Sequence, residues 1–394
     1  MAINRIHTPE GVRDIYGKEY LQKKEIKKHL HSTLRMYGYR DIQTPLFEFA
    51  DVFSNEVGTT PENELYRFFD KEGNMMALRP DFTPSIARCA SKYFMESFVP
   101  VRLCYEGNTF SNTSELQGKL KETTQMGAEL IGDSSAMADA EMICMVIDAL
   151  NACGFKEFQV SIGEIDYFKG ICEEACLSEE TMMELREYIS AKNYFGAEEM
   201  LARKEVPKRY YDILLTGNEM SSLQELQERK ELVDNAKSLA AIERLESIYK
   251  IIEGYGLAKY VSFDLGMLSK FHYYTGVLFK AYTYGVGDAI VKGGRYDNLL
   301  GSFGKESPAV GFVFLVDDIL NAYKAQKISS SVSFDETWVV YRKEQTEKAF
   351  EKMKLWRQEG KRVVAILHDG NKSREAYCAE AEKNQVKDVN FDFF

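Results

Sequence analysis

Apolar positions recur along this chain with two periods, three-to-four residues and two residues, and the switches between them lay out its elements. Leu21, Ile26, Leu30 and Leu34 form one stripe of a helix that begins after Gly17 and stops at Gly38. Pro45 interrupts the strand-like run that follows. Two β-rich runs, one holding Phe68 and Phe69 and the other Met75 to Leu78, flank a turn at Lys71 to Asn74 and predict a hairpin. Asp81 to Tyr93 reads as a helix with Pro84 in its first turn. A second pair of strands, 101–110 and 123–132, is joined by a polar stretch long enough for a mobile loop that carries Lys119 and Lys121. An amphipathic helix over 134–153 stops at Gly154, and 155–165 is a strand.

From about Leu177 to Glu253 the text turns into charged helices with few strand signals, and it reads as a helical insertion. Strand patterns return from Tyr260 and end in a strand that runs into a helix over 308–323. A serine run marks a linker over 326–335. Beyond it, 336–394 alternates strand, helix, strand, helix, strand, the pattern of a small α/β domain. The expected organisation is therefore an α+β core over 1–325, with its insertion at about 177–253, followed by the linker and the small domain. Paired strands predict a mainly antiparallel core sheet.

Composition changes this picture little. A 394-residue chain is long enough for a large core, and no apolar run reaches membrane-spanning length. Its start lacks an apolar signal segment, so a soluble, cytoplasmic protein is expected. The net charge of −11 argues against a nucleic-acid partner without excluding a local basic patch. Seven scattered cysteines include no CxxC pair; Cys172 and Cys176 share one helix face with no second ligand pair, and no metal site or cofactor is expected.

Four segments in one order narrow the reading. They are PEGVRDIYGKE with GYRDIQTPLFE; ALRPDFTPSIAR; YEGNTF with QMGAELIG; and YYTGVLFKAY with GGRYDNLLGSFG and PAVGF. Over residues 1–320 this series resembles the histidyl-tRNA synthetase lineage of class II synthetases. The resemblance implies an antiparallel six-stranded sheet flanked by helices and a homodimer through that core. It also implies a histidine pocket. Asp81, where the synthetases usually carry Glu, and Thr83 would hold the α-amino group. Gln125 and Glu129 would complete the amine and imidazole contacts, and Tyr273 and Tyr274 would line the imidazole. The residue types suit the ligand independently: carboxylates, an amide and a hydroxyl accept from ammonium and imidazole N–H groups, and tyrosines supply a flat apolar wall. The two tyrosines alternate faces, so one of them points to the pocket and the other to core or a subunit contact.

The same comparison shows what is missing. Adenylation needs cations aimed at the ATP phosphates, which arginine supplies with two parallel bonds. The arginine after the second motif's strand is Ser111 here, that of a GFxxGLERL-like third motif is Asp318, and that of an RGLDYYTG-like segment is Ser269, with Lys270 beside it. His272 replaces the aspartate before the two tyrosines. Each lost contact of this kind costs about 3 kcal/mol. A retained amino-acid pocket beside a dismantled ATP site resembles the synthetase-like regulatory subunits of ATP phosphoribosyltransferase, and the IGEIDYFKGI run after the second motif fits them as well. That family implies a non-catalytic role in histidine biosynthesis. It pairs with a short catalytic subunit as a hetero-oligomer, usually an octamer, and L-histidine acts as the inhibitory effector. The alternative is a divergent histidyl-tRNA synthetase using Lys270 and metal ions. A third reading, a module that responds to uncharged tRNA, is opposed by the acidic charge and the short C-terminal domain.

Local alternatives accompany each residue. Asp81 and Thr83 are good caps for the helix near Pro84, Glu129 could face solvent, Arg79 could form a structural salt bridge, and Arg295 of GGRYD reads as a buried structural arginine.

Overall fold

The computed structural model describes residues 6–53, 60–94, 96–113, 120–268, 274–329 and 334–394. They divide into two compact units, one taking in the chain up to Asp14 and Ile26–Ile328, the other Ile15–Glu25 and Ser329–Phe394. Of the 326–335 linker segment, 330–333 lie outside the described residues.

In chain order, α1 (Gly17–Met36) precedes β1 (Arg40–Asp41), β2 (Phe47–Phe49), the hairpin β3 (Arg67–Phe69) and β4 (Met75–Leu78), and α2 (Thr83–Tyr93). Long strands β5 (Val101–Phe110) and β6 (Glu122–Ile131) lead to α3 (Ala136–Ala152), β7 (Phe158–Glu164) and α4 (Ile165–Glu174). Helices α5 (Glu179–Ser190), α6 (Tyr194–Arg203) and α7 (Lys208–Leu215) follow, then the short β8 (Glu219–Met220), α8 (Leu223–Lys230) and α9 (Ala236–Gly254). β9 (Val261–Asp264), β10 (Val277–Thr283), β11 (Val291–Arg295), β12 (Ala309–Leu315) and α10 (Val316–Ala325) complete the first unit. In the second, β13 (Phe334–Tyr341), α11 (Thr346–Gln358), β14 (Arg362–Leu367), α12 (Arg374–Lys383) and β15 (Val386–Phe393) form a three-stranded parallel sheet in the order β14-β13-β15, with two helices.

The large sheet runs β1-β5-β6-β12-β11-β10-β7-β9-β8. Its six central strands, β5 to β7 in that order, pair antiparallel throughout. They are the six-stranded class II sheet expected from the sequence, extended at both edges: β1 pairs parallel with β5, and β9 parallel with β7. The sheet is mixed because these edge strands arrive after helical crossovers, which favour parallel pairing.

Period-two alternation gives the sheet two unlike faces. On one, Val160, Ile162, Phe279, Ala281, Phe312 and Phe314 are buried in a single large core. α3 packs on β11 and β12, α9 on β7, and α10 on β6. The other face carries Glu129, Gly127, Gly311 and Gly294 in register, and a cavity opens over it.

One correction belongs here, and two alternatives left open by the sequence are decided. Cys176 does not share a helix face with Cys172: it sits beyond the end of α4 with φ +55° and is exposed, while Cys172 is buried. Arg79 forms no salt bridge among the described residues. It is buried, donates to the carbonyls of Asn108, Thr44 and Pro45, and lies 3.9 Å above the Phe82 ring. Glu129 is not solvated but 1% exposed.

Behind the core sheet, Asp139 on α3 is fully buried and accepts from two arginines. Arg295 at the end of β11 reaches it at 2.6 Å, and the Arg244 Nε on α9 at 2.9 Å. A buried carboxylate holding two cations from distant segments is costly to break, because removal strands a desolvated guanidinium. Asp139→Ala should therefore lose about 3–5 kcal/mol in urea unfolding. Arg244→Ala, whose partner keeps Arg295, should lose clearly less; equal, negligible losses would refute the structural role.

Candidate functional site

A cavity of about 200 Å³ opens on the polar side of the sheet. Five of the six side chains expected from sequence to bind histidine line it: Asp81, Thr83, Gln125, Glu129 and Tyr274. Tyr273 lies outside the described residues, as do Ser269, Lys270 and His272.

Local sequence explains the placement. β6 presents Gln125, Gly127 and Glu129 to one face at period two. Opposite Glu129 on β12 stands Gly311, where a Cβ would overlap the Glu129 carboxyl. Gly294, next across on β11, leaves room for the Tyr274 ring. Proline 84 in the first turn of α2 sets the chain so that Thr83 enters the helix facing the sheet.

Glu129 is the centre of the polar network. Its Oε1 accepts from Thr83 Oγ1 at 3.0 Å and its Oε2 from the Tyr296 hydroxyl. No cation among the described residues pairs with it. Burial, opposed by these two hydrogen bonds, pushes its carboxyl up to about 8, and the neighbouring Asp81 adds to the rise. Asp81 is shifted upward too, again by burial. Its Oδ1 accepts from the Thr83 backbone N–H at 3.3 Å, so a weak capping contact coexists with cavity lining. The Gln125 Oε1 is buried without a hydrogen-bond partner in the protein. An unsatisfied acceptor beside two protonatable carboxyls wants a ligand that brings N–H donors.

Sequence reasoning missed four polar side chains of the lining. Tyr105, stacked on Phe82 at 4.3 Å, walls the cavity from β5. Tyr296 holds Glu129, so the GGRYD segment serves the cavity through its tyrosine while Arg295 turns back to Asp139. Thr60 lies at the rim. Lys292, on β11, is the cation lining the cavity among the described residues, and it also pairs with Asp288 at 3.1 Å. Glycine-rich VKGGRYD was the available signal: a strand with glycines where side chains would fill the floor leaves its polar neighbours exposed to a ligand.

Of the positions expected to have lost ATP arginines, Ser111 and Asp318 lie apart from this lining. Ser111 donates its N–H to the Lys121 carbonyl where β5 ends, and Asp318 sits in the first turn of α10. Its neighbour Asp317 is the buried one, accepting from the Thr124 N–H at 2.7 Å and tying α10 to β6. Val313 and Leu315 instead wall the cavity on β12. Leu315 falls at the second glycine of the GFxxGLERL-like pattern, so a branched side chain fills space that glycine would leave open.

Among the described residues one group has ligand-like spacing for a metal, His31, Asp41 and Cys104. The Asp41 carboxylate already binds His31 at 2.5 Å and Arg35 at 2.9 Å, which makes the group an ion-pair cluster. No helix among the described residues is long and apolar enough to cross a membrane.

Residues 11–319 match the histidyl-tRNA synthetase family model. The ATP phosphoribosyltransferase regulatory subunit of Acetivibrio thermocellus is 38% identical, covering 94% of this chain and 89% of that protein. The protein of the same name from Thermoanaerobacter pseudethanolicus is 39% identical, with 92% and 95% covered. A solved structure from Bacillus halodurans C, described as an ATP phosphoribosyltransferase regulatory subunit/histidyl-tRNA synthetase, superposes with a TM-score of 0.87 at 29% identity over 99% of this chain and 98% of that one. Histidyl-tRNA synthetase from Nostoc sp. PCC 7120 shares the fold, with a TM-score of 0.80 at 18% identity over 97% and 90%.

The buried carboxyl yields a pH test. Above about pH 4.5 the unfolded chain has released the Glu129 proton, whereas the folded chain keeps it until about pH 8. Glu129 therefore lowers stability progressively as pH rises through that window. Relative to Glu129→Gln, the wild type should lose up to about 1.4 kcal/mol per pH unit. Urea midpoints of both proteins across the window check this; a flat difference would contradict a carboxyl kept neutral by burial.

Proposed function

The chain belongs to the family of ATP phosphoribosyltransferase regulatory subunits, built on the histidyl-tRNA synthetase fold, and from that premise we propose that it senses L-histidine for a short catalytic subunit without catalysing a reaction itself. In this reading the Glu129 cavity takes the free amino acid. Asp81, Thr83, Glu129 and the unpartnered Gln125 Oε1 accept from the ammonium and imidazole N–H groups. Tyr105 and Tyr274 flank the ring, and Lys292 faces the carboxylate in place of the arginine whose position is Ser269. The expected Tyr273 contact belongs to the same proposal.

One observation carries the reading: a small acceptor-rich cavity whose described lining has two buried carboxyls, one lysine and an apolar wall at Val313 and Leu315. Its volume of about 200 Å³ lies below the roughly 300–1,000 Å³ of pockets that hold drug-sized ligands. That suits an amino acid. Two carboxyls offer a triphosphate no cation, whereas a working adenylation site would clamp it with arginines. Residues 1–325 with the insertion at about 177–253 would supply the sensing core and its homodimer contact. The linker over 326–335 and the domain over 336–394 would follow it, and the whole would assemble with the catalytic subunit as a cytoplasmic hetero-octamer that leaves tRNA aside.

Mixing this chain with a short catalytic subunit should give phosphoribosyltransferase activity that neither has alone and that histidine inhibits. Calorimetry should show histidine binding to the chain. Glu129→Gln exchanges the carboxyl for an amide in a contact to a charged ligand group worth about 1.5–3 kcal/mol, so it should weaken binding and inhibition by at least roughly tenfold while activation persists. Histidine-dependent ATP–pyrophosphate exchange by the chain alone, or no activity in the mixture, would overturn the proposal.

A further inference from the structure

A larger cavity, about 690 Å³, lies on the same sheet face beyond the first, over β7, β9 and β10. Its floor is set by register. Lys280 on β10 stands opposite Ser161 on β7, and Ser161 opposite Ser262 on β9. On the other side Lys280 stands directly opposite Lys292 on β11. The end of α5, Lys192, Tyr194 and the segment around β8 close the cavity over this floor.

Three acids and two lysines line the cavity, yet none of the acids is placed to pair with Lys280. Each of its acids is engaged: Glu219 pairs with Lys192 at 3.3 Å, Glu225 accepts from the Ser221 N–H at 2.7 Å, and Asp264 accepts from the Gly266 N–H at 2.9 Å. Lys280 is half-buried, and no acidic side chain among the described residues lies within ion-pairing distance of it. Directly opposed like charges destabilise a sheet. Burial and the nearby Lys292 and Lys192 all press the Lys280 ammonium toward its neutral form, more than Asp264 and Asp288 counter. Beside it, Ser161 and Ser262 share one hydrogen bond at 2.9 Å, which leaves a hydroxyl donor over, and the Tyr282 hydroxyl lines the same wall. An unpaired ammonium, a spare hydroxyl donor and cross-strand repulsion share one remedy, an anion set between them.

We propose that this cavity is a second ligand site, for a small oxyanionic molecule, a phosphate monoester or a carboxylate, held by the Lys280 ammonium above the Ser161–Ser262 pair. The volume accommodates more than the anionic group alone. The hydroxyl-lined floor suits a ligand with hydroxyls of its own. The site is separate from the histidine cavity, its floor strands being β7, β9 and β10 whereas Glu129 lies on β6, and the two meet only where Lys280 faces Lys292. Its ligand and histidine would therefore bind together.

The test uses the full chain in a zwitterionic buffer free of phosphate and carboxylate, at low ionic strength. Inorganic phosphate and L-malate are the probes, with melting temperature and calorimetric titration as readouts. At least one anion should raise the melting temperature and bind. Phosphate alone, malate alone or both would identify a phosphate monoester, a carboxylate or the shared oxyanion chemistry as the preferred class. Lys280→Met should weaken that binding by roughly tenfold or more, and in the anion-free buffer it should melt higher than wild type because the opposed charges are gone. Lys280→Arg should keep the response, and Ser161→Ala should weaken it severalfold. Glu129→Gln should leave it intact, which separates this proposal from the histidine one. No response to either anion, or a Lys280→Met protein that responds like wild type, would overturn it.

Discussion

The site rests on the fit of the Glu129 carboxyl into the space left by Gly311. The two residues face each other on β6 and β12, and any side chain at 311 would overlap that carboxyl. The fit puts a carboxyl inside the protein at 1% exposure, where its charge is strongly disfavoured. Two hydroxyls offset part of that cost, and each comes from a different element: Thr83 from the start of α2, Tyr296 from the turn after β11. The same hydrogen bonds that keep the acid tolerable thus fix the helix and the turn that wall the cavity. Glycine at 311 is at once a packing requirement, a floor and an anchor.

A floor paved with Gly127, Gly294 and Gly311 cannot contribute packing energy from that face. The compensation lies behind the sheet, where Phe279, Phe312 and Phe314 project into the main core with α3, α9 and α10. Asp139 adds direction to this apolar adhesion. By holding Arg295 it fixes the end of the very strand whose next residue, Tyr296, supports Glu129. By holding Arg244 it binds α9, the last helix of the charged block, to α3. Rigidity on the back is transmitted to the open front through one residue step along the chain.

Most elements were legible because their signals are local: the Leu21–Leu34 stripe, the hairpin turn before Met75, and the glycine that ends α3. The lining residues Asp81, Thr83, Gln125 and Glu129 were legible because motif order carries them together. What stayed hidden depends on pairing far along the chain. Asp139 and Arg295 are 156 positions apart, so a buried arginine could be suspected but its partner could not. Tyr296 stood in a quoted motif and Lys292 immediately before it, yet their facing follows from strand register, which sequence fixes only once neighbours are known. Arg79 seemed to need an acid, but a guanidinium can be satisfied by backbone carbonyls and an aromatic face, partners that have no sequence signature.

On the proposal that Ser111 and Asp318 stand where a nucleotide site would carry arginines, this geometry gives their replacement a physical meaning. Ser111 and Asp318 are not in the wall of the cavity; Val313 and Leu315 are. Losing cations removes attraction for phosphates, whereas placing a branched apolar chain in the wall removes the space they would occupy. The first change weakens a nucleotide by electrostatics, the second excludes it by volume, and the two reinforce each other without touching Glu129. The acceptors proposed to take an ammonium and N–H donors sit on β6 and α2, away from the altered strand end. On that proposal an amino-acid site can outlive phosphate handling, because its acceptors and the phosphate-handling positions occupy different elements, and the fold lets one change while the other stays.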